Sequence, residues 1–177
     1  IYDNDKLHQL HETFQSIVVH LLSDNDSNVK RAFLTHSAGK LCTFFGAQKA
    51  KEVILSHMIT FLNDKSNWEL HIAFFEAIVD VVSQIGERSL DVLEALLQQD
   101  SNVKRAFLTH SAGKLCTFFG AQKAKEVILS HMITFLNDKS NWELHIAFFE
   151  AIVDVVSQIG ERSLDVLEAL LQQFSSH

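Results

Sequence analysis

His8 and His11 stand three residues apart in a helical pattern, so both imidazoles could face one metal ion. Two nitrogen ligands fall short of a zinc site, which takes four ligands or three and a water. Glu12 follows His11 directly and is expected to point elsewhere, so the pair reads as a surface feature and no metal is expected. His36, His57 and His71 fall on three different helices, as do their later copies His110, His131 and His145. His36 interrupts an apolar stripe and is expected to be hydrogen-bonded and partly buried. Joined to Cys42 it would make a cysteine–histidine nucleophile, but six residues carry a helix about 240° around its axis, off any shared face.

Cys42 and its copy Cys116 lie in the apolar string LCTFF and read as small buried hydrophobes of a reducing compartment. Glycine occurs at Gly39, Gly46, Gly86 and their copies, with no phosphate-binding loop among them. Gly39, inside a helix, costs about 1 kcal/mol relative to alanine and is expected where two helices pack closely. Glu76 and Asp80 are four apart and should mark the solvent edge of a buried helix. Neither an enzyme nor a cofactor is expected.

The elements that hold these residues are dictated by a repeat. Asp26–Gln99 and Asp100–Gln173 are the same 74-residue string without one substitution. Within it, Ser27-Asn28-Val29 and Ser66-Asn67-Trp68 open helices 39 residues apart, close to the ~34–47 residues of two-helix solenoid repeats. Ser27 is expected to cap one helix running to Phe45, with Gly46 at its end. A second helix should span residues 47–62. Ser66 and Glu69 have the form of a capping box for a third, apolar almost all round and so buried, which ends at Gly86. A fourth spans about 87–98, with Leu90, Leu93, Leu96 and Leu97 on one stripe. Residues 5–22 add a leading helix over the first copy. The fold class is all-α: an α-solenoid of helical hairpins with about nine helices. It forms one domain over residues 1–177, divided into 1–25, 26–99, 100–173 and a tail at 174–177.

Composition narrows the partners. Net charge is −7, spread as −2 in each copy and −3 in the first 25 residues. Lys30-Arg31 and Lys49/Lys51 have Asp26 and Glu52 close by, which disfavours nucleic acid. No apolar run reaches the ~18 residues that span a bilayer.

The text carries a resemblance as well. Asp26, Val29, Lys30 and Ala32 roughly fit the opening of a HEAT repeat. SIVVHLLSD, LCTFFGAQKA, VILSHMITFLNDK and NWELHIAFFEAIV resemble the HEAT region of the class III phosphatidylinositol 3-kinase regulatory subunits. The resemblance implies an intracellular, cytoplasmic scaffolding segment without catalytic residues. It also implies an arginine near His71, a small residue near Ile72, an aromatic near Glu87 and prolines near Ala95 and Asn25, none of which this chain has.

Selection has no evident reason to hold surface positions such as Gln48 and Gln122 identical, because most surface substitutions are nearly neutral. With proline absent from the whole chain, the expectation is an engineered scaffold made by duplicating an idealised fragment. Its function would be limited to folding and self-association. The alternative is a protein-binding module whose groove is lined by the second helices. Its residues would be Lys51, Ser56, His57, Asp91 and Glu94 with copies Lys125, Ser130, His131, Asp165 and Glu168. The last helix pair, residues about 140–173, is expected to present an uncapped apolar face, with Leu167, Leu170, Leu171 and Phe174 at its end, giving a homodimer there or by exchange of repeats.

Overall fold

The computed structural model describes residues 3–176, and the described residues are helical throughout, with no strand. They form nine helices among the described residues when the bent first helix of each copy is taken as one. The fold is of the α-solenoid type, and it divides into two compact units, Ile1–Ser89 and Leu90–His177.

In the first unit α1 spans Asn4–Leu22, α2 Ser27–His36 and α3 Ala38–Phe45. Then α4 covers residues 47–63 and α5 Trp68–Ile85. Asp26, rather than Ser27, caps α2: its Oδ1 accepts the Asn28 N–H at 2.9 Å. Likewise Asn67, rather than Ser66, caps α5 by accepting the Leu70 N–H at 3.1 Å. Ser66 is occupied instead, donating its hydroxyl to Asp64 at 2.9 Å. In each case the preferred cap is the residue whose side-chain oxygen reaches a free first-turn N–H.

The helix foreseen as unbroken from Ser27 to Phe45 bends at Ser37, whose φ of −127° leaves the helical range. Helix α4 is irregular too. Its stretch Ala50–Leu55 is wound as a π-helix, with the Ser56 N–H reaching back five residues to the Lys51 carbonyl. Ser56 Oγ donates to the Glu52 carbonyl, and His57 Nδ1 lies 2.6 Å from that of Val53. Side chains thus satisfy the carbonyls that the wider winding leaves over. Gly46, at φ +83°, and Gly86, at φ +77°, end the helices where a Cβ would be strained.

Packing follows the apolar faces. Helix α5 crosses both α2 and α3, α4 lies along α3, and α1 covers α2 and part of α4. Phe61, Phe74, Met58 and Ile54 are the buried centre, each 0–1% exposed. On the α1 side His11 stacks on Phe44 at 4.6 Å, and Phe14 meets Phe44 edge-on at 5.2 Å.

In the second unit α6 is Leu90–Leu96, α7 Ser101–His110, α8 Ala112–Phe119, α9 residues 121–137, α10 Trp142–Ile159 and α11 Leu164–Ser175. The local devices recur: the bend at Ser111, the π-wound Ala124–Leu129, and Asn141 capping α10. Burial does not recur. Helix α10 lies in the last helix pair, residues about 140–173, which was expected to present an apolar face, and in it Phe149 is 60% and Val153 65% exposed. In α5 the equivalent Phe75 is 0% exposed. Identical text has taken two environments.

Candidate functional site

The residues expected to line a groove on the second helices are brought together in part. In the second unit Lys125 Nζ lies 2.7 Å from Asp165 Oδ2, joining α9 to α11. The hydrogen bond from Lys125, helped by its charge, holds the Asp165 carboxyl below the usual carboxylate range. Ser130 Oγ is turned onto the Glu126 carbonyl and His131 Nδ1 onto that of Val127, as Ser56 and His57 are in the first unit. Their hydroxyl protons and Nδ1 atoms are therefore committed to the backbone. Asp91, Glu94 and Glu168 are exposed, and Lys51 is half-buried.

A polar groove forms on the other side, where α2 bends into α3 across α5. It encloses about 400 Å³ in the first unit. His36, Lys40, Thr43, Asp80 and Gln84 supply its polar walls, with Thr43 Oγ1 donating to Gln84 Oε1 at 3.0 Å. The second unit has the equivalent groove at about 270 Å³, with His110, Lys114, Asp154 and Gln158. His36 is thus exposed on a groove wall, whereas its copy His110 is half-buried on the wall of the second groove. The signal was the pairing of Ser37 with Gly39. A methyl built at Gly39 would sit 3.5 Å from Asp80 Cβ, an ordinary contact at a close helix crossing. Lys40 and Asp80 give this groove both signs of charge, so it favours no strongly charged ligand.

The histidine pair at the start of the chain separates. His8 Nε2 lies 3.2 Å from Glu12 Oε1, so Glu12 turns toward His8 while His11 stacks on Phe44. No group of three metal-ligating side chains occurs among the described residues. Cys42 and Cys116 are buried, and desolvation pushes each thiol up to about 12, away from the thiolate needed for reaction.

His71 stands apart from these. It is 5% exposed inside α5, and its Nε2 has no hydrogen-bond partner among the described residues. An unsatisfied buried polar group costs about 1–3 kcal/mol. His71→Leu, similar in volume and without that nitrogen, is expected to stabilise the fold by roughly 1 kcal/mol. A urea melt that moves to a lower midpoint would show instead that the imidazole is needed there.

The apolar end foreseen at Leu167, Leu170, Leu171 and Phe174 is present on α11. Leu167 and Leu170 are half-buried, and Leu171 and Phe174 are 65% and 55% exposed. On α10, within the same stretch of about 140–173, Trp142, Ile146, Phe149 and Val153 form a second exposed row. No described helix is long and apolar enough to cross a membrane.

A helical-hairpin fold with surfaces of this kind is shared by many proteins, so family membership rests on sequence. The family described as "PIK3R4-like, middle domain" matches residues 2–101 and again residues 91–174. The chain belongs to the PIK3R4-like middle-domain family. The second match begins at residue 91, so α6 stands in it near where α1 stands in the first. A probable serine/threonine-protein kinase vps15 of Dictyostelium discoideum is 36% identical over 123 residues, 66% of this chain and 6% of that protein. A non-specific serine/threonine protein kinase of Candida glabrata is 33% identical over 92 residues, 51% of the chain and 6% of that protein. Serine/threonine-protein kinase VPS15 of Saccharomyces cerevisiae is 40% identical over 52 residues, 29% of the chain and 4% of that protein. The chain therefore spans about one-sixteenth of the length of the first relatives it matches. The family's match is to a middle domain.

Proposed function

We propose that this chain is a non-catalytic scaffolding segment that holds protein partners on the faces of its helical hairpins. The observation that carries this is the double match to a middle domain of kinase-named relatives, on a fold of helical hairpins. A hairpin stack offers long, rigid faces for this work. In this reading the kinase activity that the relatives' names state belongs to other parts of those proteins.

The test is a graft. The chain replaces the segment it matches in the Dictyostelium relative, and a deletion of that segment is made beside it. The grafted protein is expected to accumulate normally and to elute from cell extract at the parental size, whereas the deleted protein does not. Loss of both properties in the graft overturns the reading.

The perfect identity of the 74-residue copies favours a second reading, an engineered duplicate whose only property is folding and self-association. Leu167, Leu170, Leu171 and Phe174 would then be its contact surface. If the graft fails while the isolated chain folds and pairs with itself through Leu171 and Phe174, this second reading replaces the first.

A further inference from the structure

Helix α10 carries Trp142, Ile146, Phe149, Val153 and Val156, spaced four, three, four and three residues apart. That is the spacing of a heptad seam, the row that a second helix meets by knobs-into-holes packing. The first four are 65%, 49%, 60% and 65% exposed, and Val156 is half-buried. Together they expose on the order of 500 Å² of mostly apolar surface, the size of patch that marks an interaction site. The identical row on α5 is covered at its centre, with Phe75 and Val82 both 0% exposed.

The flanks of the α10 row differ. At about 100° per residue, Glu143, Glu150 and Asp154 line one side, and all three are exposed. His145 and Ile152 form the other side and are half-buried. Arg105 pairs with Glu143. No ion pair reaches Glu150 or Asp154 among the described residues.

We infer that the α10 row receives a partner's amphipathic helix, one whose apolar stripe is flanked by lysine and arginine. The heptad spacing selects a helix over an extended strand. The unpaired acids select basic flanks. A second copy of this chain fits less well, whether α10 meets itself parallel or antiparallel about a two-fold axis. Antiparallel, like flank meets like flank and sets Glu150 and Asp154 against their own copies; parallel, those acids meet the flank of His145 and Ile152, which offers no lysine or arginine. The inference deepens the scaffolding reading and rests on it for its cellular setting.

The probe is a synthetic peptide, DSNVKRAFLTHSAGKLCTFF, the chain's own residues 100–119, in which Lys104 and Arg105 adjoin Val103 and Phe107. The protein is the full chain carrying Trp68→Phe, which leaves Trp142 as its one tryptophan. Titration is expected to shift Trp142 emission to the blue and raise the anisotropy of labelled peptide to saturation. Phe149→Asp, at a residue already 60% exposed, should weaken binding at least tenfold without loss of helicity. A peptide bearing Lys104→Glu and Arg105→Glu should bind at least tenfold less well. The protein with Glu150→Lys and Asp154→Lys should reverse that preference, a gain that misfolding cannot mimic. The inference is overturned by absence of binding, by equal binding of both peptides, or by light scattering that shows a dimer abolished by Phe149→Asp. None of these outcomes bears on the graft, so the two readings fail separately.

Discussion

Phe75→Ala is expected to cost about 3–5 kcal/mol of folding stability, while Phe149→Ala costs under about 1 kcal/mol. Both substitutions fall in the same eighteen-residue string WELHIAFFEAIVDVVSQI, at the same position. Propensity, capping and neighbours in sequence cancel between the two, leaving environment as the variable. Phe75 is 0% exposed and stands edge-on to Phe74 at 4.9 Å. Phe149 keeps the equivalent neighbour, Phe148, at 5.5 Å but is 60% exposed. Truncating the first opens a cavity with no water to fill it, and the stability falls by the lost transfer energy plus the unrelaxed void. Truncating the second trades partly wet surface for wet surface. Urea unfolding of the two variants checks this, provided the slopes agree with the parent's. Equal losses at the two sites would mean that Phe149 is covered in solution.

That pair also shows where sequence reading stopped. The helices, their order and the α-solenoid class were legible because apolar residues recur at helical spacing from Leu7 to Leu171. Gly46 and Gly86 punctuate that pattern at positive φ. Caps were misplaced by one residue, late at Ser27 and early at Ser66, because serine, aspartate and asparagine crowd each start and only geometry picks the oxygen that reaches a free N–H. The π-wound Ala50–Leu55 left no signal in periodicity, since its cause is the local bonding of Ser56 and His57 to the chain behind them. The polar groove was missed because it depends on the bend at Ser37, a single residue within an otherwise helical string. Two identical strings cannot differ in any property read from letters. An apolar face over residues about 140–173 could be expected only from the place of this copy in the chain, and the particular row on α10, Trp142, Ile146, Phe149 and Val153, was not named.

Excising residues 100–173 gives the same polypeptide as excising residues 26–99, since the two strings are one text. The shortened chain is expected to fold into a cooperative, fully helical protein, because each hairpin stack supplies its own buried centre. Denaturant slopes track the surface exposed on unfolding, so its slope should be roughly 0.6 of the parent's if the parent unfolds in one step. Its stability should fall by on the order of 5 kcal/mol. The reason lies in four side chains. Phe75, Val82, Leu93 and Leu97 are 0–2% exposed in the full chain. In the shortened one they take the place of Phe149, Val156, Leu167 and Leu171, which are half-buried or exposed. Fully burying such a side chain contributes about 1.5–3 kcal/mol, of which part is lost at each position. A shortened chain with the parental midpoint and slope would show that the second copy adds nothing to the first. A shortened chain that fails to fold would show that one copy cannot sustain a core, and the repeat would then be a requirement of the fold rather than an extension of it.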